Sequence, residues 1–208
     1  MIPDKNEWIK ALRERHGEKL QNKISSSSVA ICGLGGLGSN IAVLLSRAGI
    51  GKLMLIDFDK VDITNLHRQQ YKADQIGMYK TEALRKNLEE INPYIKTKIL
   101  TVCITEENAK KLLSDCDIIC EAFDNAEAKA SLVNLVLSEM PDKYIVAASG
   151  MAGLLSANLI KTRRISKRFY LCGDEKSDVC DGFGLIASRV SVCASHQAHA
   201  VIRIISEK

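Results

Sequence analysis

The feature that most constrains this chain is a glycine-rich turn placed directly after an apolar run. Residues 29–32 lead into the glycine-rich sequence at 33–38. An apolar strand that ends in spaced glycines and continues as a helix offers backbone N–H groups and a positive helix end to a phosphate. Gly33 is expected to allow the tight turn, Gly35 to let a phosphate approach the backbone, and Gly38 to let helix and strand pack closely. The spacing predicts a nucleotide-binding βαβ unit.

A second apolar run, residues 52–56, ends in Asp57, at the position where an acidic side chain holds a ribose hydroxyl. A dehydrogenase needs one acidic residue there, but this chain adds Asp59 and then the polar run 62–70, which contains Arg68. The planar guanidinium of an Arg can hold two phosphate oxygens at once. Arg, Lys and several carboxylates near a glycine-rich turn indicate Mg-ATP chemistry rather than hydride transfer.

These residues form a pattern that resembles the ThiF/MoeB/HesA adenylyltransferases, relatives of the ubiquitin-activating enzymes. The matching stretches are 33–39, 57–61, 65–69, 76–80, 91–93, 123–125, 149–153 and the C-terminal helix. The resemblance is to the short ThiF type. It implies ATP-dependent adenylation of the C-terminal glycine carboxylate of a small ubiquitin-like sulfur carrier protein (ThiS-like, ending in Gly-Gly), in thiamine thiazole synthesis. The carboxylate would attack the α-phosphorus of ATP, and pyrophosphate would leave.

The resemblance also implies roles for individual positions, with ATP and Mg²⁺ as cofactors and a homodimer as the assembly. The implied nucleotide-binding residues are Gly33, Gly35, Gly36, Gly38, Asp57, Asp59, Asn65, Arg68, Gln69 and Lys80. The implied catalytic residues are Arg68, Lys80, Asp124 and Arg15, with Asp124 also as the Mg²⁺ ligand. In the family an N-terminal Arg completes the site, sometimes from the partner subunit, and Arg15 is preferred here to Arg13.

Several of these residues also have structural interpretations. Asp59 could cap the next turn, Asp124 could be the N-cap of the helix that follows it, and Arg68 and Lys80 could each belong to an exposed structural ion pair with a carboxylate. Cys172 is the one thiol considered for a functional role, because it follows an apolar strand and precedes a Gly/Asp-rich loop.

The cysteines and the charges narrow the remaining possibilities. Longer members of the family bind structural zinc through two Cys-x-x-Cys pairs, which this sequence lacks, so no zinc is expected. Seven scattered cysteines favour reduced thiols and a cytoplasmic location.

A net charge of +4 is too small to imply nucleic acid, and no apolar run predicts a membrane span or a secretory signal. The basic run Lys161, Arg163, Arg164, Lys167 and Arg168 fits either a solvated face or a docking surface for an acidic carrier.

Alternating strand and helix patterns predict the fold class: an α/β, Rossmann-like, doubly wound, mostly parallel sheet with a short antiparallel extension near the C-terminus. The predicted strands are 29–33, 52–57, 96–102, 117–122, 144–149, 154–161 and 168–172. The predicted helices are 4–22, 37–49, 76–91, 106–114, 125–139 and 185–206. The chain is expected to be one ThiF-like domain, 1–208, with an N-terminal helix in 1–25, a nucleotide-binding core in 26–150, and carrier-side strands and a closing helix in 151–208.

Three other functions are compatible with the sequence. A member of the same superfamily could activate a carboxylate on a modified tRNA nucleoside instead of a protein tail. The glycines with Asp57 alone would suit a dinucleotide-dependent oxidoreductase. A binding module could keep the nucleotide fold without catalysis, although Arg68, Lys80 and Asp124 argue against that interpretation.

Overall fold

Short apolar segments form the parallel strands at the centre of a seven-stranded sheet in the computed structural model, which describes residues 2–208. These strands are β1 Ser28–Cys32, β2 Lys52–Ile56, β3 Lys96–Leu100, β4 Ile118–Glu121 and β5 Tyr144–Ala148. Nearly every residue of β1, β2, β4 and β5 is buried, as expected for parallel strands covered on both faces. The strand order is β3-β2-β1-β4-β5-β7-β6, so the direction of the winding changes between β1 and β4.

The last two strands complete one edge of the sheet. Strand β7, Phe169–Gly173, pairs in parallel with β5, and β6, Lys161–Arg164, pairs antiparallel with β7. The predicted fold class is therefore confirmed: the sheet is mostly parallel, with an antiparallel extension on its C-terminal side.

Residues 2–208 form seven α-helices, and the sheet separates two hydrophobic cores. The helices are α1 Lys5–His16, α2 Glu18–Ser26, α3 Gly36–Arg47, α4 Lys80–Ile91, α5 Glu106–Leu113, α6 Ala126–Glu139 and α7 Ala187–Glu207. Helices α3, α4 and α7 contribute to the larger core on one face. Helices α5 and α6 contribute to the smaller core on the other face. Among residues 2–208, none of the helices combines the length and apolar character needed to cross a bilayer.

Three predicted elements differ from the structure. The predicted helix 4–22 is two helices, because Gly17 between them has φ of 81°. The predicted helix 76–91 begins only at Lys80, since Gly77 has φ of 86° and Tyr79 is bridged to Lys60 in extended geometry. Residues 154–161 do not form the predicted strand, because residues 157–159 form a 3₁₀ turn. Strand β6 begins only at Lys161, where the predicted strand would end.

We predict that Gly38→Ala destabilises the fold by about 3 kcal/mol or more, measured as the free energy of unfolding in urea. A Cβ at Gly38 would lie 1.9 Å from the carbonyl oxygen of Gly33, so β1 and α3 would have to separate. Gly35→Ala is the control, because its Cβ would meet only Gln69 Nε2, at 3.8 Å, and should change stability by no more than about 1 kcal/mol. Equal stabilities for the two variants would contradict the steric argument.

Candidate nucleotide site

The glycine-rich turn lies where the carboxyl ends of β1, β2 and β4 meet. Gly33 has φ of 90°, and its N–H donates to the carbonyl oxygen of Ile56 over 2.9 Å. A Cβ on Gly33 would lie 2.7 Å from the carbonyl oxygen of Ala122, so β4 also packs against the turn. Helix α3 begins at Gly36, which places its N-terminus at this edge of the sheet. In open α/β sheets ligands bind outside the carboxyl ends of the strands, where the winding reverses.

Asp57 fixes the end of β2 to the glycine turn. Its side chain accepts a hydrogen bond from the backbone N–H of Leu34 over 2.6 Å and another from that of Asp59 over 2.8 Å. Burial raises the pKa of the Asp57 carboxyl, and the nearby Lys80 ammonium opposes that shift. A carboxylate has about four lone-pair sites, so Asp57 keeps capacity for a ligand hydroxyl.

Lys80 is a buried cation held between two carboxylates. Its Nζ lies 2.7 Å from Asp59 Oδ2 and 4.0 Å from Asp57 Oδ2, and its side chain is 8% exposed. A backbone hydrogen bond also joins the two residues, since the Lys80 N–H donates to the carbonyl oxygen of Asp59 over 2.9 Å. The interpretation of Lys80 as part of an exposed ion pair is therefore wrong. Asp62, not Asp59, caps the next turn, by accepting from Thr64 N over 2.8 Å.

Arg68 and Gln69 bring polar groups against the turn. Arg68 Nη2 donates to Asn65 Oδ1 over 2.8 Å, and a Cβ on Gly36 would lie 3.4 Å from Arg68 Cγ. Burial lowers the pKa of the Arg68 guanidinium, while the negative charge of Asp124 raises it. Within residues 2–208, Arg68 Nε and Gln69 Oε1 are buried without a hydrogen-bond partner. Buried polar atoms are nearly always paired, so these two are suited to a bound ligand or water.

Asp124 follows β4 and is exposed to solvent. The N-cap of α6 is Asn125, whose side chain accepts from Ala128 N over 2.8 Å, so the interpretation of Asp124 as the N-cap is wrong. Its carboxylate interacts with the charge of Arg68. Mg²⁺ keeps several waters and needs only one or two protein carboxylates beside substrate phosphates, so Asp124 fits as a single ligand.

Glu121 and Lys129 are site-supporting residues that the sequence analysis did not identify. Lys129 Nζ lies 3.0 Å from Glu121 Oε1, and Glu121 is fully buried at the end of β4. The same carboxylate oxygen accepts from Phe123 N over 2.7 Å, which fixes the turn that leads to Asp124. Burial raises the pKa of Glu121, and Lys129 counteracts this shift. The only indication of this pair in the sequence was a single acidic residue in an otherwise apolar strand.

The structure does not bring Arg15 into the site of its own chain. Helix α1 packs near Gly49, where Leu12 Cδ1 would lie 2.6 Å from an added Cβ. Gly49 follows the C-terminal end of α3, whereas the glycine turn lies at the N-terminal end. The 12 residues of α3 separate the two ends by roughly 18 Å. Arg13 is on the same helix and donates to Asn22 Oδ1 over 2.9 Å.

Cys172 is fully buried in β7, and burial raises the pKa of its thiol to about 11. The thiols of Cys120 and Cys193 interact with it and are buried as well, whereas Cys103 and Cys180 are exposed. Among the residues that the structure describes, no group of three His, Cys, Asp or Glu side chains could hold a metal ion.

Comparisons with known proteins agree with this geometry. A model of the ThiF family matches residues 10–208. The adenylyltransferase and sulfurtransferase MOCS3 of Dictyostelium discoideum is 34% identical over 211 residues, covering 93% of this chain and 48% of that protein. The molybdopterin-synthase adenylyltransferase of Haemophilus influenzae is 37% identical over 113 residues, covering 54% of this chain and 46% of that protein. The chain thus spans less than half the length of either relative.

Solved structures share the fold. The E. coli tRNA N6-threonylcarbamoyladenosine dehydratase TcdA, in complex with ATP, has a TM-score of 0.88 at 20% identity, covering 100% of this chain and 98% of that one. E. coli MccB with succinimide has a TM-score of 0.69 at 24% identity, covering 90% of this chain and 58% of that one. At these identities the likeness establishes the Rossmann-like architecture.

We predict that iodoacetamide at pH 8 modifies Cys103 in the folded protein and leaves Cys172 unmodified. Alkylation requires the thiolate, and with a pKa of about 11 only about one Cys172 thiol in a thousand is ionised at that pH. Mass spectrometry of digested protein measures both sites, and the same reaction in urea is the control in which both should react. Equal rates at the two thiols in the folded protein would contradict the burial of Cys172.

Proposed function

Because this chain belongs to the ThiF family, we propose that it uses ATP to adenylate a carboxylate, and that the acceptor is the C-terminal glycine of a small ubiquitin-like sulfur carrier protein. The observation that carries the proposal is the convergence of Lys80, Arg68 and Asp57 on the glycine turn, with Arg68 Nε buried and unpaired among the described residues. A dinucleotide-dependent oxidoreductase needs only the ribose carboxylate here, so the additional Arg68, Lys80 and Asp124 favour ATP chemistry over that alternative.

In the proposed reaction two anions must meet, and the residues around the turn reduce their repulsion. Backbone N–H groups at the start of α3 would bind phosphate oxygens, and Asp57 would hold the ribose. Arg68 would bind phosphate through its guanidinium, and Lys80 would turn from Asp59 toward a phosphate oxygen. Mg²⁺ held at Asp124 would supply further positive charge near the phosphates. No side-chain nucleophile is needed, because the acceptor carboxylate itself attacks phosphorus.

The choice of a sulfur carrier as acceptor rests on the resemblance to the ThiF type and on the names of the relatives. We also propose that residues 151–208 form the side that meets the carrier. Strand β6 is fully exposed and carries Lys161, Arg163 and Arg164. Arg163 is paired with Glu175, so Lys161 and Arg164 would attract an acidic partner. Arg168 is different, since its Nη1 donates to the carbonyl oxygen of Met140 over 2.9 Å and stabilises the fold. Thiamine thiazole synthesis is the pathway that the short ThiF type implies.

A modified tRNA nucleoside is the second candidate acceptor. The same basic edge strand that would attract an acidic protein would also attract a phosphodiester backbone. The TcdA chain is matched over almost its full length, unlike the curated relatives. The two candidates share the adenylation step and differ only in the molecule that presents the carboxylate.

We predict that Lys80→Ala and Arg68→Ala each reduce ATP–pyrophosphate exchange by about two orders of magnitude, because each removes a charge that stabilises the transition state. Lys86→Ala is the matched control, since Lys86 is exposed on the same helix as Lys80 and should leave exchange unchanged. Exchange is measured with purified ThiS-like and molybdopterin-type carriers and, separately, with threonylcarbamoyladenosine-containing tRNA.

The acceptor that starts exchange identifies the substrate class. Stimulation by a carrier supports the proposal, and stimulation by the tRNA alone replaces it with the second candidate. Full exchange by both Lys80→Ala and Arg68→Ala would overturn the assignment of the phosphate site. Calorimetric titration should show binding of Mg-ATP and no binding of NADH, and the reverse result would contradict the adenylyltransferase proposal.

We further propose a homodimer in which Arg15 of one chain completes the site of the other, because α1 lies at the far end of α3 from its own site. Arg15→Ala and Lys80→Ala should each lose most of the exchange activity when present alone. Random mixing of the two would restore about a quarter of the sites, since half of the dimers are mixed and each has one intact site. Light scattering measures the dimer mass. No recovery in mixed dimers would contradict the shared site.

A further inference from the structure

The segment that joins β7 to α7, residues 174–186, is fastened to the rest of the protein at several points. At its start, Asp174 Oδ2 lies 2.5 Å from Arg189 Nη2, and both side chains are only 4% exposed. Near its end, the carbonyl oxygen of Gly184 accepts from Gly153 N over 2.8 Å. These two contacts hold the segment to α7 and to the chain that follows β5.

A third contact links the segment to the nucleotide site. His67 Nε2 lies 3.1 Å from the carbonyl oxygen of Leu185, a residue 118 positions away in the sequence. His67 Nδ1 lies 3.1 Å from the carbonyl oxygen of Thr64, and the ring donates to both carbonyls only when both of its nitrogens carry a proton. Arg68 Nη1 lies 3.4 Å from the same Nε2. The imidazole therefore stands between the segment and the guanidinium proposed to bind phosphate.

The start of α7 is itself part of the wall around the glycine turn. Helix α7 begins at Ala187, two residues after Leu185, and its N-cap Ile186 makes no side-chain hydrogen bond to the helix. Val190, in the first turn, has Cγ1 only 3.0 Å from where a Cβ on Gly36 would lie. A shift of the segment end would therefore move the side chain that faces the phosphate turn.

We infer that His67 is a positioning residue, which holds residues 183–186 and the start of α7 against the turn that carries Arg68. The inference rests on the proposed function and assigns no chemical step to the imidazole. Since the carbonyl oxygen of Leu185 is an acceptor, the contact requires the proton on Nε2. Loss of this donor would free residues 183–186 and the start of α7, which carries Val190 against the glycine turn, so binding of Mg-ATP would weaken.

Two amide substitutions separate the contacts of the imidazole. Gln at this position places an N–H donor near the position of Nε2 and keeps the contact with Leu185. Asn places its donor near the position of Nδ1 and can keep only the contact with Thr64. His199→Ala is the control, because His199 is an exposed histidine on α7.

The test measures hydrogen exchange of the backbone amides of Gly153 and Val190, which donate to the carbonyl oxygens of Gly184 and Ile186, without nucleotide, and the Kd for Mg-ATP by calorimetry. His67→Asn and His67→Ala should raise exchange at these two amides and weaken Mg-ATP binding about fivefold, the size of one lost hydrogen bond. His67→Gln and His199→Ala should match the wild type in both measurements. Circular dichroism checks that each variant is folded.

The outcomes distinguish this inference from the proposed function. If exchange at Gly153 and Val190 is unchanged in His67→Ala, or if Asn and Gln behave alike, the inference is wrong and the proposed function stands. If the wild-type protein does not bind Mg-ATP, the proposed function is wrong, and with it the role of His67 at the nucleotide site.

Discussion

The close approach of Gly38 to Gly33 is the constraint on which the rest of the site depends. A side chain at Gly38 would occupy the space of the Gly33 carbonyl oxygen, so α3 can start against the end of β1 only with glycine there. This contact sets the position of the α3 N-terminus at the point where the winding of the sheet reverses. Asp57 after β2 and Ala122 after β4 approach the backbone of the glycine turn rather than a side chain.

Three buried or partly buried ion pairs lie at the carboxyl ends of strands, and each fixes a turn next to the site. They are Lys80 with Asp57 and Asp59 after β2, Lys129 with Glu121 at the end of β4, and Arg189 with Asp174 after β7. Burying charges costs free energy that pairing only partly returns, so such pairs are weak sources of stability. Burial raises the pKa of Asp174, but backbone N–H groups of Ser177 and Lys176 and the Arg189 guanidinium lower it overall. The positions of the three ion pairs therefore indicate that they fix the loops after the strands rather than stabilise the core.

The sequence predicted what local patterns determine, and it missed what distant contacts determine. The glycines, Asp57 and the central strands could be predicted because spacing and apolar runs directly limit the backbone. The start of α4 at Lys80 could not be predicted, since it depends on the bridge between Lys60 and Tyr79. The pairing of Glu121 with Lys129 was also invisible, because only the turn after β4 brings the two together. The same limit hid the contact of His67 with Leu185, which joins residues 118 positions apart.

The balance of charge at the glycine turn supports the proposal that a second chain contributes to the reaction. Arg68 and Lys80 are two cations near the turn, whereas Asp57, Asp59 and Asp124 are three carboxylates. Lys80 is already paired with Asp59 before any substrate binds. ATP and a carboxylate would add further negative charge, which these residues alone cannot neutralise. We propose that additional positive charge comes from Mg²⁺ at Asp124 and from an Arg of a second chain, which would supply it where the two anions meet.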